Sequence, residues 1–338
     1  MLYITHTLPL SSTFPTAHHC FLDLETTGLS KQHDFLICLG LASRKGETLY
    51  IEQWLLENGS EEKDLLHLLM ERLSAYNKIY TYGGKHFEWP FFIEKLQAYG
   101  LDSSFLTTCH LVDLKPSKAK RSILEMHIGF HRIQTTSGKE LAKLAKLLLQ
   151  GPNPSYATLI LEHNKEELLS LQAIFNYTQF MKQLSPSILQ DSHLDTYRVT
   201  FTLKPLQLYN TSFKGSHEEE GVAYHYDATT GLMFLYAKAR HLQLKAYLPP
   251  KDYYFVEGKL LHKSLAKLLP TSMRQKATKD TCYLEQTGYY LPFVFEKDSL
   301  IWQDEAKHGY TLYDAPSFEP HLLPLLELLL KKITQKSI

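Results

Sequence analysis

Paired or clustered cysteine is missing from this 338-residue chain. Its four cysteines, Cys20, Cys38, Cys109 and Cys282, stand far apart with no CxxC pair, so neither a disulfide framework nor a zinc knuckle is indicated. They read as small buried hydrophobes. An excess of charge of either sign is missing too. Lysine plus arginine and aspartate plus glutamate number 36 each, which excludes the strongly basic balance of a polybasic membrane binder and makes any anion-binding surface a local one. No apolar run reaches spanning length, and MLYITHTLPLSSTFP lacks the basic start and unbroken apolar core of a secretion signal. The expectation is a cytoplasmic protein with no membrane partner. There is no Walker-type GxxxxGK[ST] sequence, no internal repeat and no low-complexity tract.

What the chain has is globular composition: 44% hydrophobic, 21% charged and 12% aromatic residues. At roughly 150 residues per domain its length predicts about two domains. Tyrosine is abundant, with 21 copies, and suits half-buried strands. From His19 to about Lys182 short apolar runs alternate with helical stretches, the pattern of an α/β layer fold. Cys20–Leu24, Phe35–Ala42, Thr48–Trp54, Lys78–Tyr82 and Leu106–Leu111 are predicted strands; Glu61–Tyr76, His86–Tyr99, Ser122–Ile128, Lys139–Leu149 and Tyr156–Met181 are predicted helices. Between Leu184 and Thr196 the helical period is lost and serine, proline and aspartate accumulate, marking a junction. The expected division is residues 1–183 and a β-rich α+β domain over 197–338. In the latter, Tyr197–Lys204, Val222–Asp227, Leu232–Lys238 and Leu242–Leu248 alternate as strands. KATKDTCYLEQTGYYLP is predicted to be a hairpin turning at Gln286-Thr287-Gly288, and Lys263–Leu269 and Pro320–Lys332 to be short helices.

The chemistry-bearing residues lie in the first half. Asp23 and Glu25 in FLDLETTGL are two apart on a strand and so project from one face. Two carboxylates held together repel unless a cation joins them, and hard divalent ions take carboxylate oxygens. Glu88, in YGGKHFEWPFF, opens a helix after a strand ending in two glycines, where it can aim into the same cleft or simply complement the helix dipole. His163 and Glu167 in HNKEELLSL stand at i and i+4, on one helix face, with Lys165 and Glu166 expected at the surface. Lys115, Lys118, Lys120 and Arg121 form the densest basic cluster of this half, a candidate phosphate contact; Lys139, Lys143 and Lys146 make a helical stripe that suits phosphates or solvent equally. Asp113 suits a structural role, His18-His19 none, and His262-Lys263-Ser264 a helix cap formed by Ser264.

Taken in order, FLDLETTGL, TYGGKHFEWP, CHLVDL and LEHNKEELLSL, over about residues 20 to 175, resemble the YprB-type ribonuclease H-like proteins of the exonuclease-like superfamily. KDYYFVEGKLLHKSLAK and KATKDTCYLEQTGYYLP resemble firmicute homologues whose C-terminal domain has no known role. The resemblance implies a mixed five-stranded sheet flanked by helices, the first strand central, with a cleft at its end that holds two Mg2+ or Mn2+ ions. It implies a nuclease hydrolysing phosphodiester bonds of DNA or RNA, 3′–5′ exonuclease-like in type. By position, Asp23 would bridge both ions, Glu25 and Glu167 would each bind one, Glu88 would hold the second directly or through water, and His163 would take the proton from water. Where the family carries asparagine, aspartate and aspartate, this chain has Gly83, Glu88 and Glu167. An alternative stays open: a nucleic-acid-binding or scaffolding protein that keeps the fold with weakened catalysis.

Overall fold

The computed structural model describes residues 1–10, 16, 18–107, 109–115, 120–295 and 300–337. The chain divides into two compact units: Met1–Gln183 with Gln207–Phe213 and Thr334–Ile338, and Leu184–Leu206 with Lys214–Ile333. No helix among the described residues is long and apolar enough to cross a membrane.

The first unit runs β1 (Leu2–Pro9), β2 (His19–Thr26), β3 (Leu36–Lys45), β4 (Thr48–Leu55), α1 (Glu62–Leu73), β5 (Lys78–Thr81), α2 (Glu88–Ala98), β6 (His110–Asp113), α3 (Arg121–His127), α4 (Gly138–Gln150) and α5 (Pro154–Lys182). Its sheet has the order β1-β4-β3-β2-β5-β6, antiparallel on one side of β2 and parallel on the other. It therefore has six strands where five were expected. The extra one is β1, an edge strand whose Leu2 to Pro9 pair with Leu55 to Thr48. Its LYITHTLP is exposed at alternate positions and leaves only half its side chains against the sheet, so it gives no continuous apolar signal. The last predicted strand also starts later, at His110, because Ser104–Thr107 form a 3-10 turn.

β3 is buried on both faces from Leu36 to Ser43, and α1 and α5 both pack on it, which is why LICLGLAS reads as an unbroken apolar run. The helix starts follow capping chemistry. Ser137 accepts from the Glu140 amide while Glu140 returns a bond to Ser137, and Asn153 caps α5 ahead of Pro154. Inside this core one ion pair is fully enclosed: Lys95 of α2 stands 3.3 Å from Glu62 of α1, whose carboxylate also accepts from the Leu36 amide and the Tyr99 hydroxyl.

The second unit is β-rich, as its alternation predicts. It holds β7 (Leu189–Asp195), β8 (Arg198–Leu203), β9 (Phe213–His217), β10 (Val222–Asp227), β11 (Leu232–Lys238), β12 (Arg240–Tyr247), β13 (Tyr253–Val256), β14 (Lys259–His262), α6 (Lys263–Ala266), β15 (Gln275–Lys276), β16 (Tyr283–Leu291), β17 (Trp302–Gln303), β18 (Gly309–Leu312) and α7 (Leu322–Ser337). β7-β8-β11-β10-β9 form a five-stranded sheet, β12-β16-β18-β17 a small closed barrel, and β14-β13-β15 a three-stranded sheet. Two expectations are corrected. Gln286-Thr287-Gly288 is no turn: β16 runs through it, paired with Leu242 to Leu244 of β12. The cap of α6 is His262, whose ring accepts from the Ser264 amide, not Ser264 itself.

Candidate active site

β2 carries the first two acids into the site from the middle of the sheet. Its pairing with β3 shifts register between Glu25 and Thr26, a local irregularity that bends the strand as it leaves the cleft. Asp23 is 6% exposed. One of its carboxylate oxygens accepts from the Asn164 side-chain amide at 2.8 Å, and the same amide donates to the Asp23 carbonyl at 3.2 Å. Burial, then the charge of Glu167, pushes the Asp23 carboxyl well above its usual range. Glu25 is raised by burial and then by Asp23 beside it. Glu88, the first residue of α2, is pushed up to about 7, chiefly by burial. Among the described residues no lysine or arginine forms an ion pair with these three acids; the nearest ring nitrogen, His163 Nε2, is 3.9 Å from Glu25.

Glu167 is held differently. Arg121 of α3 and Arg132, from the segment between α3 and α4, both bond its carboxylate. Both also bond Glu125 of α3, Arg121 Nε at 3.1 Å and Arg132 Nε at 2.9 Å. Two guanidiniums and two carboxylates close a neutral quartet, with Arg121 also donating to the Glu167 carbonyl at 2.6 Å. Burial opposes ionisation, but Arg121 and Arg132 hold Glu167 below its ordinary value. His163 Nε2 stands 3.5 Å from Glu167, and burial lowers the proton affinity of its ring.

The members of the expected basic cluster are placed differently from one another. Lys115 and Lys120 are exposed, Lys118 lies outside the described residues, and Arg121 turns inward to the quartet. The helical stripe is better placed. Lys139, Lys143 and Lys146 line a cleft of about 610 Å³ together with Glu25, Leu29 and Phe87. Lys146 is tied to Asp34 at 3.0 Å. Asp113 accepts the Gly83 amide at 2.7 Å and the Lys115 amide at 2.9 Å, fixing the left-handed Gly83 (φ +83°).

Residues 20–179 match the family model of the RNase H superfamily. The N-terminal unit has a ribonuclease H-like fold. Among solved structures the chain is similar to the family B DNA polymerase from the hyperthermophilic archaeon Pyrobaculum calidifontis, at 15% identity and a TM-score of 0.39. The match covers 51% of this chain and 26% of that polymerase chain. No curated protein matches the chain.

Members of the RNase H superfamily typically use divalent metals, and the ribonuclease H-like unit can be tested for the two-ion set. Hard oxygen donors are present, but both carboxylate oxygens of Glu167 are claimed by arginine. Among the described residues no group of three His, Cys, Asp or Glu is arranged to hold a metal ion. As placed, the four acids do not fit a two-ion centre.

Sequence reasoning missed three members of the site. Arg132 and Glu125 belong to no motif. Asn164 is fully buried, and its signal was Gly40 in the middle of LICLGLAS, since glycine inside a central strand marks close approach by another group; a Cβ there would collide with the Asn164 side chain. Glu166, expected at the surface, is 7% exposed and accepts the amides of Ile133 and Gln134 at 2.9 and 3.0 Å, which anchors the segment bearing Arg132.

Proposed function

We propose that the protein hydrolyses phosphodiester bonds of nucleic acid in the cleft beside Asp23, Glu25 and Glu88, as the YprB-type pattern of motifs implies. The observation that carries this reading is the convergence of three acids with raised proton affinity and no lysine or arginine partner among the described residues. Such a cluster is costly unless it serves chemistry. His163, beside Glu25 and Glu167 with its proton affinity lowered by burial, is suited to take the proton of an attacking water. Arg121 and Arg132, paired with Glu125 and Glu167, hold the Glu167 carboxylate in place beside His163. Lys139 and Lys143 line the adjoining cleft and would seat the backbone of the substrate strand.

A second reading is favoured by the quartet. With Glu167 neutralised by two arginines, the unit would bind nucleic acid without cutting it. One experiment separates the two: labelled single- and double-stranded DNA and RNA are incubated with wild type and Asp23→Asn, with magnesium, manganese or chelator, and the products resolved by size. Cutting by wild type that is lost in Asp23→Asn supports hydrolysis at this cleft, and a single-nucleotide ladder from the 3′ end gives the 3′–5′ exonuclease polarity. No product from any substrate under any condition leaves the binding-only reading.

A further inference from the structure

The five-stranded sheet of the second unit has one buried and one half-exposed face. Burial alternates residue by residue along β8, β10 and β11. Val199, Phe201, Leu203, Tyr224, Met233 and Leu235 go inward. The register sets Arg198 opposite Lys238, Thr200 opposite Tyr236, and Phe234 between Thr202 and His225, so these residues share the half-exposed face. Its composition is unusual for a solvated sheet. The rings of His225 and Phe234 lie near parallel, 21° apart with centroids at 6.2 Å, and the Arg198 guanidinium sits 5.6 Å from the Tyr236 ring.

At the Tyr236 end the face deepens into a groove of about 580 Å³, lined by Arg198, Tyr236, Lys238, Arg240, Ser216 and Glu218 among others. Three cations face one carboxylate. Arg240 is anchored, donating to the carbonyls of Glu218 and Glu219 at 2.6 and 2.8 Å. Arg198 is not: its nearest carboxylate, Asp195, is 3.9 Å away, and its buried Nε has no hydrogen-bond partner among the described residues. A guanidinium held beside an aromatic ring with no close carboxylate, next to a lysine and a fixed arginine, is complementary to phosphate. Flat rings on an otherwise small-residue sheet are complementary to the face of a nucleobase. An acidic peptide would use the cations and leave the rings idle, and a duplex keeps its base faces stacked.

We propose that this sheet face binds single-stranded nucleic acid, with phosphates against Arg198, Lys238 and Arg240 and bases on Tyr236, Phe234 and His225. The proposal rests on nucleic acid being the target of the protein, but not on cleavage. The test is fluorescence anisotropy of the full chain with a labelled 20-nucleotide oligo(dT), in chelator, across a salt series. Arg198→Gln/Lys238→Gln should weaken binding at least tenfold and lower the slope of log affinity against log salt by about 1.4, two single-strand contacts at roughly 0.7 each. Tyr236→Thr, which keeps a strand-favouring residue at a half-buried position, should weaken binding roughly 5- to 150-fold and leave the slope unchanged. Should either variant unfold, photocrosslinking of wild type to a 5-iodouracil oligonucleotide reads the contact directly, with Tyr236 or Phe234 as the expected adduct. Absence of binding by wild type, variants that bind like wild type, adducts confined to residues elsewhere, or a duplex bound as tightly through Tyr236 would each overturn it. The catalytic reading fails separately: if no substrate is ever cut but these variants weaken binding, the face stands and the cleft does not; if substrates are cut and these variants bind normally, the reverse holds.

Discussion

Asn164 and Asp23 are 141 positions apart in sequence and meet at 2.8 Å. The same Asn164 side chain accepts from Gln53 of β4 at 2.7 Å, and Gln53 also donates to the Leu161 carbonyl. One buried amide thus ties α5 to β2 and β4 and sets the orientation of the first acid of the cleft. Gly40 makes room for it from β3.

Asn164→Ala leaves Asp23 without its donor and Gln53 without one of its two acceptors. With roughly 1–3 kcal/mol for the unpaired Asp23 and about 1 kcal/mol for the bond Gln53 loses, a loss of about 2–4 kcal/mol in urea unfolding is expected, with any cleavage activity lost as well. Gly40→Ala should be destabilising from the other side, because its methyl enters the Asn164 amide. In the Asn164→Ala background that clash is relieved, so the double variant should be less destabilised than the two losses combined. Strict additivity would show that the two residues do not share a contact.

The arginine quartet makes a prediction about metal. In Arg132→Gln one guanidinium is left to Glu125 and Glu167, and breaking so enclosed a network should cost about 2–4 kcal/mol. If the clamp is what withholds Glu167 from metal, the variant should bind manganese at least tenfold more tightly than wild type by calorimetry. Manganese should then raise its melting temperature more than that of wild type, by mass action on the folded state. Equal manganese affinity in the two proteins would mean that the clamp does not govern metal access.

Acid sensitivity should include a share from His127. Its ring packs against Tyr177 and Phe213, with Nε2 3.2 Å from the Tyr177 hydroxyl, and burial lowers its proton affinity below the ordinary 6.5. The unfolded chain then binds a proton near pH 6.5 that the folded chain refuses until lower pH, so stability is complete above 6.5 and declines as pH falls below it. His127→Phe should flatten that decline in urea unfolding followed from pH 7.5 to 5. An unchanged pH slope would place the effect on other groups.

Much of the sheet was legible because β3 is a long apolar run and the apolar residues of β2 and β5 are buried around it. The edge strand β1 was not, since LYITHTLP half-buries only Ile4, His6 and Leu8. Within the second unit, Gln286-Thr287-Gly288 has turn-forming composition, yet β12 offers a full partner over that stretch, and ladder bonds outweigh local preference. The pairing of Asp23 with Glu25 followed from a period of two. The tie between Glu167 and Arg121 could not follow from any period, because it joins α3 to α5 across 46 residues. Glu166 shows the same limit: in HNKEELLSL it looks like half of a solvated charge pair, and only the fold brings the Ile133 and Gln134 amides over it.

α5 presents His163, Asn164, Glu166, Glu167 and Ser170 within little more than two turns, each to a different partner: the Glu25 side, Asp23, the Ile133 segment, the arginines and Glu125. A helix advances about 100° per residue. Loss or gain of one residue before Asn164 would swing the rest of this series past all of its partners at once, whereas substitutions on the outer side of the same helix leave the phase untouched. The outer side of the segment thus tolerates changes of spelling, while a change of length unseats every inward member of the series together.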